Sequence, residues 1–460
     1  MSINKEIFRA YDIRGSSLTD ISPSISYKIG YCFAKMHISN IQSKIILVGR
    51  DGRLSSPAIY EALIKGLNDG GGQVTSLGIV PSPVLYFADK ILSPIASVMI
   101  TGSHNPKDDN GFKMLSYGKS FFGEQIQQLL AEILSIDWDN KIIANTQPVI
   151  EELNLIEEYI KRLLEGQSIL ANLKVAWDPG NGSSGKITEI ITTRIPNNNI
   201  VINSEIDGNF PNHHPDSSVI ENLRQLQQVV KLHNCDVGIA FDGDGDRIGV
   251  VTSSGRMISG DELICLFAKD IIATNPGAII IMDVKASQTI FEQIEAYGGR
   301  PIIWKTGHAF IKNKMVETRA LLAGEMSGHI FFADRYYGYD DGIYAAIRLL
   351  NLLSRSSKSL DEMLDEIPKT YSTPEIKIPA NDDIKFKIIE LVKQQLIKEG
   401  VAFNDIDGVR ITVSDGWWLL RCSNTGPALI ARCESATKQG LENLKSRLNA
   451  LLVKYDLKLN

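Results

Sequence analysis

Three aspartates alternate with two glycines in Asp242-Gly243-Asp244-Gly245-Asp246-Arg247. Carboxylates packed this closely repel one another in water, and their clustering makes physical sense around a hard cation. The glycines let the loop curl so that the carboxylates converge. An EF-hand loop also begins with alternating acids. Here, however, Arg247 stands where its glycine belongs and Ser253 where its closing glutamate belongs. A site with few carboxylates suits Mg²⁺, which keeps positions open for phosphate oxygens.

Three further segments carry reactive groups. Thr101-Gly102-Ser103-His104-Asn105-Pro106 presents a serine hydroxyl on a short turn. Its glycine permits an unusual backbone angle and its proline stiffens the exit. The G-x-S-x-G elbow of a hydrolase is missing. Gly324-Glu325-Met326-Ser327-Gly328-His329 sets a carboxylate, a hydroxyl and an imidazole between glycines. These groups can grip hydroxyls and move protons. Arg421-Cys422-Ser423-Asn424-Thr425-Gly426-Pro427 offers a guanidinium, two hydroxyls and an amide. That set suits a phosphate, each charge-assisted bond being worth roughly 1.5–3 kcal/mol. Taken singly, each of these three segments also fits an ordinary polar turn.

The elements that must position these loops alternate as in a layered α/β protein. Apolar runs at 44–48, 73–77, 96–100, 174–177, 199–203, 236–241, 278–282 and 301–304 read as strands. Amphipathic stretches at 57–68, 222–233, 261–274, 287–296 and 341–353 read as helices, with Ser55 and Ser56 as caps ahead of Pro57. The serine and aspartate loops follow strands directly, and ligands collect at the carboxyl ends of strands in open α/β sheets. The last segment reads as α+β, with helices at 382–399 and 437–453 flanking strands at 409–413, 417–422 and 428–433. Breaks near Gln147-Pro148, Ser253-Ser254-Gly255 and Ile367-Pro368 divide the chain into units 1–147, 148–252, 253–367 and 368–460. The spacing points to three similar α/β units plus a distinct fourth, without a repeat at residue level.

Composition narrows the classes. The 460 residues suggest three domains or four small ones at roughly 150 residues each. The net charge of −6 gives no basic field for nucleic acid or anionic membranes, so neither is expected as a partner. Five cysteines without a C-x-x-C argue against a disulfide framework or zinc site and fit a reducing compartment. The polar N-terminus lacks a signal-peptide core, and the longest apolar runs fall far short of a membrane span. A cytoplasmic protein is expected.

The four loops, in this order, resemble the α-D-phosphohexomutase superfamily in its bacterial phosphomannomutase/phosphoglucomutase branch. The likeness runs from Phe8-Arg9-Ala10-Tyr11-Asp12-Ile13-Arg14-Gly15 to the 421–427 segment, nearly the whole chain. It implies three similar mixed α/β domains and a C-terminal α+β domain around a central cleft, each contributing one loop. It also implies that Ser103 carries a phosphoryl group whose oxygen joins Asp242, Asp244 and Asp246 around one Mg²⁺. Arg14, Lys113, Arg247 and His329 are implied in catalysis. Tyr11, Lys285, His308, Glu325, Ser327, His329, Arg421, Ser423, Asn424 and Thr425 are implied in substrate binding. The activity implied interconverts hexose 1-phosphate and hexose 6-phosphate, of mannose or glucose, through a hexose 1,6-bisphosphate that also serves as activator. A monomer or weak homodimer is expected. Met326 stands where glucosamine-phosphate enzymes tend to carry Gln, which sets that alternative second. Gly426 departs from the Glu or Thr of many members and is expected to loosen its loop modestly.

One rival reading comes from Gly180-Asn181-Gly182-Ser183-Ser184-Gly185, which fits a dinucleotide-binding G-x-G-x-x-G with Glu205 downstream, as in a sugar dehydrogenase. It nearly spells a P-loop, but Ile187 replaces the hydroxyl residue that would hold Mg²⁺. Asp178-Pro179 stiffens the turn ahead of it, and neither version explains the aspartate cluster.

Overall fold

The computed structural model describes residues 3–38, 44–140, 148–170, 173–424 and 426–459. The first unit contains β1 (Ile13–Ser16), α1 (Pro23–Ile38), β2 (Ile45–Arg50), α2 (Ser56–Asp69), β3 (Gln73–Ile79) and α3 (Ser82–Leu92). It continues through β4 (Ala96–Ile100), β5 (Asp109–Ser116), β6 (Lys119–Ser120), α4 (Glu124–Ser135) and β7 (Ile150–Glu152). Pro57 and Pro83 open α2 and α3, where a missing N–H costs nothing. Ser55 occupies the N-cap of α2 but makes no side-chain capping bond, because its backbone is already helical.

The second unit contains α5 (Ile156–Leu164), β8 (Lys174–Asp178), α6 (Gly185–Arg194), β9 (Asn198–Val201), α7 (Arg224–His233), β10 (Val237–Phe241), β11 (Ile248–Thr252) and β12 (Met257–Ile258). The third contains α8 (Gly260–Thr274), β13 (Ile279–Asp283), α9 (Gln288–Ala296), β14 (Arg300–Trp304), α10 (His308–Thr318), β15 (Leu322–Gly324), β16 (Ile330–Phe332), α11 (Gly342–Ser354) and α12 (Leu360–Leu364). A capping box between Ser259 and Glu262 starts α8. The fourth contains β17 (Tyr371–Ser372), β18 (Ile376–Pro379), α13 (Asp382–Lys398), β19 (Val409–Val413), β20 (Gly416–Cys422), β21 (Ala428–Ser435) and α14 (Lys438–Val453).

Three of the four sheets repeat one pairing scheme. In the first, β3, β2 and β4 run parallel and β4 then pairs antiparallel with β5. In the second, β9, β8 and β10 run parallel and β10 pairs antiparallel with β11. In the third, β14, β13 and β15 run parallel and β15 pairs antiparallel with β16. The first three site loops are therefore the turns between the last parallel strand and its antiparallel neighbour, whereas the fourth joins the antiparallel β20 and β21. The fourth sheet is antiparallel throughout, with β17 and β18 on β21, followed by β20 and β19. Three similar α/β units and a distinct α+β unit are thus present, as the resemblance implies.

Two expected breaks fall inside sheets. Strand β7 pairs with β3, so the first sheet extends past 147, and Gln147 itself lies outside the described residues. The Ser253-Ser254-Gly255 segment is the turn that returns β12 to β11, with Gly255 at φ 87°, rather than a linker. A polar Ser/Gly run marks a hairpin as readily as a boundary.

One apolar core runs from α3 through the second and third units, gathering Phe87, Tyr159, Trp177, Phe267 and Tyr344. The fourth unit has its own core around Val392, Leu420, Leu444 and Leu448. Its contact with the third unit is smaller and more polar. Trp417 and Leu419 pack on Val284, while Arg410 donates to the carbonyls of Val284 and Ala286 at 2.7 and 2.9 Å. Interfaces of this kind permit relative motion. Among the described residues no helix is long and apolar enough to cross a membrane.

Candidate active site

Strand β4 ends at Ile100 and β10 at Phe241, so the serine and aspartate loops leave neighbouring units side by side. Ser103 Oγ donates to Asp242 Oδ2 at 2.9 Å. The strained backbone belongs to Ser103 itself, at φ 50°, and not to the preceding glycine. Gly102 is required for another reason. A Cβ there would sit 2.5 Å from the Arg53 guanidinium. Gly243 is as constrained, since its Cβ would lie 2.5 Å from the Ser103 carbonyl oxygen.

Arg53, which sequence reasoning missed, organises the serine turn. It is 1% exposed and pairs with Asp51 at 3.2 Å. Its Nη2 donates to the carbonyls of Ser103 and Asn105, both at 2.7 Å, and its Nη1 to those of Pro106 and Asp109. The Gly49-Arg50-Asp51-Gly52-Arg53 stretch at the end of β2 was the available signal.

The acidic triplet is buried, and its three carboxylates lie within 4.8 Å of one another. Lys113 Nζ, from β5, donates to Asp244 Oδ2 at 2.6 Å and also pairs with Asp246. Burial alone would lower the Lys113 pKa, but Asp244, Asp246 and Asp242 outweigh it and hold the ammonium well above its ordinary range. Burial and the neighbouring Asp244 and Asp246 push Asp242 well up. Asp244 is held low against the cost of burial by Lys113 and by hydrogen bonds, one of them from Ser82 at the start of α3. Lys113 and the more distant Arg247, 3.9 Å from Asp242, leave three carboxylates short of one positive charge. Asp244 Oδ1 and Asp246 Oδ1 remain buried without hydrogen-bond partners. Orphaned hard oxygens on converging carboxylates are the donor set that Mg²⁺ takes.

Arg14 Nη1 donates to Asn105 Oδ1 at 2.8 Å and its Nη2 pairs with Asp12 at 2.8 Å. Arg247 reaches across to the third unit, where its Nε donates to His329 Nε2 at 3.0 Å. Accepting that bond leaves the proton of a neutral His329 ring on Nδ1, which lies 3.1 Å from Asp340 Oδ2. His308 stacks on His329 with 5.8 Å between centroids, and both of its nitrogens lack partners. Burial, and then Lys312, hold the His308 pKa well below its ordinary value. The edge of Tyr11 meets the His308 ring at 5.4 Å.

Glu325 Oε1 accepts from the Gly307 N–H at 2.6 Å and Oε2 from Ser327 Oγ at 3.1 Å. Lys285 Nζ lies 2.7 Å from Glu375 and 3.5 Å from Asp283, so it ties the third unit to the fourth. Burial pushes Asp283 up to about 6 despite that lysine. Arg421 Nε pairs with Asp407 at 3.0 Å, while its Nη2 is buried and unpartnered. Asn424 Nδ2 donates to the Thr306 carbonyl at 3.3 Å. Thr425 lies outside the described residues.

All four loops line one cavity of about 560 Å³. The first gives His104, the second Arg247, the third Glu325 and Ser327, and the fourth Arg421, Ser423 and Asn424, with Tyr11 and Lys285 between them. Ser103, only 1% exposed, lies beneath His104 and Arg247 on the same side as the acidic triplet. The glycine-rich turn 180–185 is spent on packing. The Ser183 N–H donates to the Gly243 carbonyl at 3.0 Å, and a Cβ on Gly185 would collide with Ser204. An N–H that a dinucleotide pyrophosphate would need thus buttresses the aspartate loop instead.

Comparison with known proteins matches this arrangement unit by unit. The phosphoglucomutase/phosphomannomutase alpha/beta/alpha domains I, II and III match residues 5–140, 157–255 and 259–371, and the C-terminal domain matches 375–451. A phosphomannomutase/phosphoglucomutase of Pseudomonas aeruginosa is 44% identical over 96% of this chain and 94% of its own length. A phosphoglucomutase of Neisseria gonorrhoeae is 41% identical over 98% of this chain and 97% of its own. A crystal structure of a phosphoglucomutase/phosphomannomutase family protein from Burkholderia thailandensis superposes with a TM-score of 0.90 at 36% identity, covering 100% of this chain and 99% of that one. With one loop per unit meeting at a single cleft and the likeness spanning both chains almost end to end, this chain belongs to the phosphoglucomutase/phosphomannomutase family.

Proposed function

We propose that this chain is a phosphohexomutase that interconverts the 1- and 6-phosphates of mannose or glucose through a phosphorylated Ser103 and a hexose 1,6-bisphosphate. The observation that carries the reading is the 2.9 Å contact between Ser103 Oγ and Asp242, under a cavity lined by all four loops. Asp242, Asp244 and Asp246, with an oxygen of the phosphorylated serine, would hold Mg²⁺, which would supply charge neutralisation at the transferring phosphoryl group.

The sugar phosphate docks its existing phosphate on the unpartnered Arg421 Nη2 with Ser423, Asn424 and Thr425. Glu325 and Ser327 hold ring hydroxyls, and Lys285 and Tyr11 complete the wall, with His308 behind Tyr11. The free hydroxyl, O1 or O6, forms a bond to phosphorus as the bond to Ser103 Oγ breaks. Arg14, Arg247 and Lys113 stabilise the equatorial oxygens. Lys113, fixed as an ammonium, stabilises the departing serine oxygen, and His329 Nε2, freed as Arg247 turns from it toward the phosphoryl oxygens, takes the proton that the sugar hydroxyl loses. The bisphosphate turns over within the cleft and returns its other phosphate to Ser103. Water must be kept out during this exchange. The fourth unit, with its own core and polar interface, serves as the lid.

The test uses the purified chain with glucose 1-phosphate and mannose 1-phosphate. Ser103→Ala is expected to lose turnover while keeping its melting temperature, and EDTA is expected to abolish activity that Mg²⁺ restores. Wild-type rates in Ser103→Ala would falsify the scheme. A strong preference for glucosamine 1-phosphate would reassign the substrate.

A further inference from the structure

Lys385 sits in the first turn of α13 with 5% of its surface exposed. Lysine is almost never buried without partners. Its Nζ donates to the Ser423 carbonyl at 2.8 Å and to the Gly426 carbonyl at 3.0 Å. One ammonium thus spans the two carbonyls that bracket the fourth loop's turn. The loop's own backbone bonds lie at its base, from Ser423 N to the Ala428 carbonyl and from Ala428 N to the Gly426 carbonyl, both at 2.9 Å. At Gly426 the turn has room around it, since an added Cβ would meet nothing within 4 Å, and just beyond it the Pro427 carbonyl accepts from the Ala380 N–H at 3.1 Å.

The direction of the carbonyls matters. No peptide bond in the described chain is cis. In a trans peptide the N–H points opposite to the C=O. With the Ser423 carbonyl turned down onto Lys385, the Asn424 N–H faces away from it, on the side where an anion approaches. The same ammonium adds positive charge behind a turn that receives a dianion.

We propose that Lys385 is a positioning residue that holds the phosphate-binding turn in its receptive form and so sets affinity for the sugar phosphate without taking part in phosphoryl transfer. The assignment rests on the mutase reading above and deepens it. A grip made equally in ground and transition states changes KM and leaves kcat alone.

The experiment compares the full chain with K385M, K385Q and K385R, using initial rates against glucose 1-phosphate and calorimetric binding of glucose 6-phosphate. K385M is expected to raise KM about tenfold, the factor that loss of a charge-assisted hydrogen bond commonly produces, with kcat changed less than about twofold. K385R, which can present two N–H groups to the two carbonyls, is expected to recover most of the affinity. A folded K385M with wild-type KM overturns the role, as does a loss confined to kcat. Should K385M fail to fold, K385Q carries the same test. Failure of both to fold assigns the lysine to holding the domain together and also overturns it. A wild-type chain that leaves glucose 1-phosphate unchanged refutes the mutase reading instead, and the lysine is then judged on glucose 6-phosphate binding alone.

Discussion

Replacing Arg53 by lysine tests whether the serine turn is built from outside itself. The guanidinium satisfies four carbonyls of the 103–109 segment and pairs with Asp51 in a site closed to solvent. A lysine keeps the charge but has no planar fork with which to reach all four oxygens. If two charge-assisted bonds are lost at roughly 1.5–3 kcal/mol each and relaxation recovers half, the net cost is roughly 1.5–3 kcal/mol. For a unit of this size that lowers the unfolding midpoint by roughly 3–12 °C. The functional effect is larger than the loss of stability implies. Ser103 at φ 50° is a strained conformation worth about 1–3 kcal/mol, and without the clamp on its carbonyl the turn relaxes away from the acidic triplet. R53K is expected to lose at least about 100-fold in kcat, since a misplacement of roughly 1 Å costs that much. Thermal melts and coupled-rate assays on the same preparation measure both effects. An R53K protein that melts normally and turns over at the wild-type rate refutes the reasoning.

Gly243→Ala pushes a methyl group into the Ser103 carbonyl oxygen, so kcat is expected to fall at least about tenfold; unchanged turnover would show that the two loops have slack. Asp341 accepts from Tyr159, Tyr336 and the Tyr344 N–H, yet burial pushes its pKa up to about 7. The folded state therefore holds that proton more tightly than the unfolded chain, and the stability so conferred is full below about pH 4 and lost as pH rises through 7. Ionising the group costs on the order of 4 kcal/mol at alkaline pH. D341N is expected to remove that slope between pH 5 and 8 in urea-unfolding midpoints, and parallel curves for the two proteins would refute it. Gly426→Thr meets no obstruction and needs no left-handed backbone. It is expected to lower KM by no more than about threefold by restricting the unfolded and open forms of the loop, and a tenfold rise would show that the glycine is required.

The contiguous parts of the site were legible in the sequence. Ser103, the three aspartates, the Glu325 loop and Arg421 each sit in a short run whose residue types make sense only together, and the strands that carry the first two loops are uniformly buried and, apart from Ser97, apolar. What escaped detection acts across distance. Arg53 holds a turn 50 residues away, and Ser82 holds Asp244 from 162 residues away. The Gly49–Arg53 stretch could flag Arg53 itself, but no local pattern names the turn it holds or joins Ser82 to Asp244. Helix α3 was invisible for a related reason. Its residues from Ser82 to Asp89 are all buried, because it lies where three units meet, and a helix buried all round shows no amphipathic period. Strands β15 and β16 have three residues each, too few for any alternation to register. The His213-His214 pair reads as an ordinary surface loop, yet His213 Nε2 lies 3.0 Å from the buried Asp178 and closes the end of β8.

On the function proposed above, the nucleophile, the cation ligands and the sugar contacts hang from three copies of one strand-and-hairpin scheme, which separates the tasks mechanically. A substitution in the β15–β16 turn can alter which hexose fits while the sheets that aim the other two turns stay as they are. Substrate choice in such a molecule is free to drift over evolutionary time at little risk to its chemistry.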